Sequence, residues 1–346
     1  MKRSFQIGGA FAGLVVGGGF ASGQEIMQFF TGFGIYSVLG AIVAMVGFAF
    51  LGMNVAQIGY KLQTNSHKEV VYHLAGRRLG AVLDILITFF LFAVTVAMFA
   101  GAAATFKQIF GINPFFGGLF MAILTVLTLM LNVKSIINVI AAATPYLLAI
   151  ILIISIYSIF TMDLSYADQS NLAQHQLVAA PHWLMGALLY VSYNFATSVA
   201  MLTVLGSTAP SRRIAGLGGI IGGVLLGILI FLINIALFAK MDIATGTELP
   251  VLAIAISIHP ILGILMAIAL LGMIFNTSVG LLYSFVIRFV PPKDPTYKPS
   301  VILLGAIGFM ASFVGFTTLV GKVYSLMGYL GFAIIAVVVI HWIRKP

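Results

Sequence analysis

Ten apolar runs of 18–29 residues, each with at most two charged side chains, alternate with short polar connections along this chain of 346 residues. They cover 4–31, 34–60, 79–107, 115–132, 135–161, 183–206, 213–240, 260–287, 299–318 and 322–343. A bilayer's hydrocarbon core takes about 20 helical residues to cross. Each run is therefore read as a transmembrane helix, because a lipid-exposed backbone must satisfy its N–H and C=O groups within its own segment. Only 7% of residues are charged, against about 25% in soluble domains. A water-soluble enzyme is excluded, as is a disordered chain. There is no cysteine, which removes disulfides, thiolate metal sites and cysteine nucleophiles. Met1-Lys2-Arg3 resembles the start of a signal peptide, but the apolar run continues to Phe30 without a small-residue cleavage pattern. It is read as a retained first helix with no cleaved signal peptide.

Charge gives the expected orientation. With the N-terminus inside, 14 of the 17 Lys and Arg residues lie on the cytoplasmic side, and Lys107, Lys240 and Lys322 lie outside. This is the positive-inside pattern, with both termini cytoplasmic. The polar segment 162–181 has aspartates and no Lys or Arg. It divides the chain into a first five-helix repeat (1–161), an extracellular connector (162–181) and a second five-helix repeat (182–346). An odd number of spans per half inverts one half against the other, as in inverted-repeat secondary transporters. The second connection of each half is long. Residues 66–74, beginning at Ser66 with Glu69 three positions on, and residues 248–255, with Pro250 early, are read as short surface helices.

The midpoint of the first span reads Gly17-Gly18-Gly19-Phe20-Ala21-Ser22-Gly23-Gln24-Glu25. Each glycine costs a helix roughly 1 kcal/mol relative to alanine, so a local break is expected. Unwound backbone at membrane depth offers carbonyls to a cation and helix-start amides to an anion. The competing reading is close helix packing, preferred for Gly218, Gly219, Gly222, Gly223 and Gly227 of span seven. A carboxylate inside a span normally faces a cavity or a partner, so Glu25 is read as a gate, a proton site or an interfacial hydrogen-bonded acid. Asp84 is read as favouring the start of span three.

Span six, the inverted counterpart of span one, carries Tyr190-Val191-Ser192-Tyr193-Asn194 near its middle, a cluster suited to a small polar solute. It is also expected to be discontinuous. Span eight carries Asn276-Thr277-Ser278 one turn from its middle. Their hydroxyls suit Na⁺, unless they bond to their own helix. No HExxH, Walker loop or GxSxG motif occurs in a matching context, so no catalytic residue is expected and the chain is read as a non-enzyme.

The run Val16-Gly17-Gly18-Gly19-Phe20-Ala21-Ser22-Gly23-Gln24-Glu25-Ile26-Met27-Gln28-Phe29-Phe30 resembles the first helix of the YkvI-like proteins. These are amino acid permeases by assignment, placed in the amino acid–polyamine–organocation superfamily. Ser192-Tyr193-Asn194 and Glu248-Leu249-Pro250 are similar to that family as well. The resemblance implies a LeuT-type all-α fold of ten helices in a 5+5 inverted repeat. It places a substrate site at Gly19, Ala21, Ser22, Gly23, Ser192, Tyr193 and Asn194. It implies a Na⁺ site from carbonyls of Gly17 and Phe20 with hydroxyls of Thr277 and Ser278. The superfamily's Gly-x-Gly is departed from at Ala21. Some proton-coupled relatives carry a lysine in span five, and 135–161 has none.

The expected function is cation-coupled symport of a small solute, an amino acid or related zwitterion, across the cell membrane by alternating access. No cofactor beyond the coupling ion is expected, and no nucleic acid partner. The alternatives are proton coupling through Glu25, a passive channel and a transport-dead receptor.

Overall fold

The computed structural model describes residues 2–63, 67–130, 143–162 and 164–343. Every regular element among them is a helix: α1 Lys2–Val15, α2 Gly18–Ser22, α3 Gln24–Phe29, α4 Tyr36–Leu62, α5 His67–Phe110, α6 Pro114–Met130, α7 Ala143–Phe160, α8 Tyr166–Gln174, α9 Trp183–Ser207, α10 Arg212–Ala239, α11 Met241–Ala244, α12 Pro250–Ile258, α13 Pro260–Val286 and α14 Tyr297–Ala311, with α15 running Phe316–Ile343 through a π turn at Leu319–Tyr324.

Among the described residues, six helices are long and apolar enough to cross a membrane: Tyr36–Leu62, Ala75–Phe110, Arg212–Ala239, Pro260–Val286, Tyr297–Val314 and Phe316–Ile343. Their outward faces are apolar. Val46, Ile85, Ile268 and Leu303 are each at least 60% exposed, which suits contact with lipid tails rather than water. The first expected span is interrupted at mid-length. The expected sixth is helical throughout but bends by 58° between Trp183–Val199 and Met201–Ser207. The expected fourth span is Pro114–Met130. The expected fifth begins at residues outside the described set, as do Ser66, Lys134 and the connection at 133–134.

Both segments expected to be short helices are helical where described. The first lies at the start of α5 and joins the third span through Gly76, whose φ of 70° and ψ of 179° break the helix there. The second is α12, with Pro250 in its first turn. Local caps set other boundaries. Ser211 accepts from the Ile214 amide at the start of α10, and His259 Nδ1 accepts from the Ile261 amide at the start of α13. Such side-chain acceptors satisfy helix-start donors that have no intrahelical partner.

Glycine seams join α1, α4, α9 and α10. A Cβ on Gly219 would stand 2.2 Å from the Gly52 carbonyl carbon, one on Gly223 2.2 Å from Ala49 N, and one on Gly227 2.2 Å from Met45 Cβ. Gly218 and Gly222 turn to α1 instead, against Ile7 and Phe11. Gly59 and Gly206 bring α4 and α9 equally close through Thr203 O and Ala56 O. Backbones approach this tightly only where side chains are absent. A buried chain of hydrogen bonds adds to this group. Thr31 Oγ1 donates to Asn234 Oδ1 (2.8 Å), and Asn234 Nδ2 donates to Ser37 Oγ (2.8 Å).

A second group packs α5 with α6 and α13, and α6 with α14. Gly117 on α6 abuts Phe106, and Gly305 on α14 abuts Val126. Between the groups lies the interrupted first span. Gly18 of α2 presses on Ile274 of α13 and Met98 of α5, while α3 touches α9, α12 and the π turn of α15. The connector closes over this region. Its helix α8 is capped by Ser165, which accepts from the Asp168 amide. Gln169 bonds Ala239 O and Met241 N, and Ala179 N donates to Gln28 O at 3.0 Å.

The seams predict a contrast between two glycine-to-alanine variants. Gly223→Ala drives a methyl into the α4 backbone and lowers stability by about 1–3 kcal/mol. Gly9→Ala, where a Cβ meets nothing within 4 Å, raises it by roughly 0.5–1 kcal/mol through helix propensity. Thermal unfolding of both variants in one detergent checks the order.

Candidate functional site

The helix of the first span stops at Val15; Val16 N still donates back to Ala12 O at 3.0 Å, and Val16 and Gly17 lie between the two helices. Gly17 is extended (φ −109°, ψ −169°), and α2 starts after it. Ala21 N is the first amide of α2 to bond back, to Gly17 O at 2.9 Å. The amides of Gly18, Gly19 and Phe20 thus form a helix start without intrahelical acceptors. A second interruption follows at Gly23, whose φ of 81° is left-handed, a conformation that glycine adopts at little cost. Gly23 N donates to Phe20 O at 3.1 Å, and its Cα faces Val251 of α12. Ser22 stitches the turn, donating to Gly19 O (2.7 Å) and accepting from Gln24 N (3.1 Å).

The two interruptions turn Glu25 inward. Its carboxyl folds back over α2: a Cβ on Gly19 would lie 1.9 Å from Glu25 Oε1, so a larger residue there would push the carboxyl aside. The other oxygen, Oε2, accepts from Tyr193 OH at 2.5 Å. Glu25 is 5% exposed, and no described basic side chain pairs with it. Tyr190 and Tyr324 lie within electrostatic reach of this carboxylate. The Tyr193 ring packs against Tyr324 (centroids 5.0 Å apart), Tyr190 (5.4 Å) and Phe29 (5.7 Å). Tyr190 OH and Tyr324 OH are buried without a hydrogen-bond partner.

The other residues singled out from the sequence fall in three places. Gly17, Thr277 and Ser278 come together: a Cβ on Gly17 would be 3.3 Å from Thr277 Oγ1. Thr277 is half-buried and its hydroxyl bonds to nothing among the described residues, while Ser278 Oγ donates to Ile274 O at 2.7 Å. Gly17 O and Phe20 O each accept one amide and keep a second lone pair. Ala21 is fully buried within α2. Ser192 faces away from the break and donates to Gly328 O on α15 (2.7 Å). Asn194 Nδ2 donates to Tyr190 O of its own helix (3.1 Å). Tyr324 and Phe29 were not singled out, and nothing in an isolated apolar run marks them.

Among the described residues, two ion pairs lie on either side of this region. Asp84 lies well inside the third span rather than at its start, and its partner is a cation: Arg288 Nη1 of the loop after α13 reaches Asp84 Oδ1 at 2.7 Å and Thr88 Oγ1 at 2.6 Å. Lys107 Nζ stands 4.0 Å from Glu248 Oε1. Beside that pair opens a cavity of ≈ 440 Å³ lined by Lys107, Gln108, Thr247, Glu248, Ala253 and Ile256. Gln108 Nε2 bridges it to Leu249 O (3.1 Å).

The chain is similar to two proteins of Bacillus subtilis (strain 168). These are the uncharacterized membrane protein YkvI, 27% identical over 95% of this chain and 93% of that one, and the uncharacterized protein YyaD, 27% identical over 95% and 94%. No family model matches. Among solved structures it superposes on inward-facing Mhp1 (TM-score 0.65, 14% identity, 95% of this chain and 73% of that one). It also superposes on MhsT in complex with L-phenylalanine (0.64, 18%, 95% and 87%) and on an Eremococcus coleocola manganese transporter mutant, H236A (0.61, 14%, 97% and 78%). The chain has the LeuT-type fold of these neighbours.

The geometry separates two tyrosines that look alike in sequence. Tyr193→Phe removes the hydrogen bond to Glu25 and lowers stability by about 1.5–3 kcal/mol. Tyr324→Phe removes an unpartnered hydroxyl and changes stability by less than about 0.5 kcal/mol. Chemical denaturation in micelles measures both.

Proposed function

We propose that this chain is a secondary active transporter that carries a small ammonium-bearing solute, an amino acid or related zwitterion, across the cell membrane with a coupling cation. The observation that carries this reading is the interrupted first span, which leaves main-chain donors and acceptors free between two separately packed helix groups. The reading takes the chain as ten spans in a 5+5 inverted repeat with both termini cytoplasmic. The group α1, α4, α9 and α10 then rocks against the group around α5 and α13, opening the break to one side at a time. Membership of the amino acid–polyamine–organocation superfamily is part of the same proposal.

In this mechanism the solute binds along Gly19, Ala21, Ser22 and Gly23 opposite Tyr193 of α9, with Ser192 and Asn194 holding that helix in place. Na⁺ is the proposed coupling ion. Carbonyls of Gly17 and Phe20 would hold it with Thr277 and Ser278 hydroxyls, all hard oxygen donors. The support is the approach of Gly17 to Thr277, whose hydroxyl has no other described partner. Binding Na⁺ there ties α1 and α2 to α13 and so couples ion occupancy to the relative position of the groups. Proton coupling through Glu25 is the second reading, favoured by a buried carboxylate without a basic partner.

Uptake of a radiolabelled amino acid mixture into proteoliposomes tests the reading. An inward Na⁺ gradient is expected to accelerate uptake at least tenfold over equal Na⁺, and Thr277→Ala with Ser278→Ala is expected to remove that acceleration. A pH gradient acting alone would select the proton reading. Uptake indifferent to both gradients would contradict coupled transport.

A further inference from the structure

Glu25 is a buried carboxyl group to which no described basic side chain supplies a counter-charge. Removing a carboxylate from water is costly unless an opposite charge or several donors compensate. Here one tyrosine hydroxyl donates to it, and no described basic side chain pairs with it. Tyr324 OH is fully buried near it without a hydrogen-bond partner, and Tyr190 OH, also buried, lies close enough to the Glu25 carboxyl to interact with it. The surrounding surface is aromatic: Phe29, Tyr190, Tyr193 and Tyr324 with ring centroids 5.0–5.7 Å apart. Aromatic faces attract organic cations.

We infer that the Glu25 pocket is the head-group site for a primary ammonium, with Glu25 as its counter-charge and the hydroxyl oxygens of Tyr190 and Tyr324 as further acceptors. An ammonium group has three N–H donors, and these three acceptors match it in number. A lone proton would neutralise Glu25 and leave both hydroxyls unmatched. A metal cation would gain oxygens but nothing from the ring faces. Glu25 is buried in this structure, so the ligand enters when α9 or α15 moves from the break. The inference rests on the transporter reading only in calling the ligand a substrate. Recognition of the ammonium group stands on the pocket itself, and a carboxylate on the ligand is not required.

The test is a binding measurement on the whole chain in lipid nanodiscs, without any gradient. Thermal unfolding is followed against methylammonium chloride, potassium acetate, sodium chloride and potassium chloride at equal ionic strength. Methylammonium is expected to raise Tm saturably by about 2–4 °C, with no such rise from acetate. Glu25→Gln should abolish the rise, and Tyr324→Phe should weaken methylammonium at least threefold in midpoint. Should Glu25→Gln fail to fold, the Tyr324→Phe midpoint alone decides. Stabilisation by acetate instead, by sodium alone in a Glu25-dependent way, by none of the salts, or by methylammonium undiminished in the variants would each overturn the assignment. Binding without flux in proteoliposomes would sink the transporter reading and leave this one standing. Amino acid flux with no methylammonium binding would do the reverse.

Discussion

Backbone amides and carbonyls deep in an apolar bundle must be paired, and the first span leaves some of them unpaired. Gly17 and Gly23 take conformations that stop the helix twice within seven residues, and the groups released there lie between helices rather than in lipid. Unpaired polar backbone is tolerated at such depth only in that setting. The same double interruption folds Glu25 back over Gly19. A single uninterrupted helix would carry that side chain elsewhere, and the pairing with Tyr193 would be lost. Site geometry and helix break are one feature.

Glycine serves a different end in the rest of the chain. On α10 it removes side chains where backbones touch, so that α1, α4, α9 and α10 hold together as a body with little room to deform. Interiors packed this closely shift as units rather than bending gradually. The break contacts the other body through Gly18 against Ile274 and Met98, and through Gly17 against Thr277. A ligand or ion bound there touches both bodies, which is the requirement for biasing their relative position.

Much of this was legible in the sequence. Four glycines at the centre of an apolar run announce an interruption, and i, i+4 glycines along span seven announce a seam. Glu25 stands out because carboxylates are rare at such depth. The direction of polar side chains was less legible. Ser192, Tyr193 and Asn194 are neighbours in sequence, yet a helix sends them to three places: α15, Glu25 and their own backbone. Tyr324 was hidden for a different reason. Its approach to Glu25 depends on contacts across almost the whole chain and on the π turn at Leu319–Tyr324, which periodicity does not reveal. The connector reads as a polar loop, although Ser165 and Asp168 have the spacing of a helix start and do form one. Fusion of the surface helix with the third span turns on Gly76 alone.

Because the chain contains no cysteine, the central claim can be read with a single introduced thiol. Ala21→Cys, on the buried face of α2, is to be exposed to a membrane-impermeant methanethiosulfonate in oriented vesicles. If the break lines a path opened by alternating access, the thiol reacts from at least one side, and its rate changes when Na⁺ replaces K⁺. No reaction from either side in any ion, with the variant still folded, would mean that the interrupted segment is sealed packing and not a site.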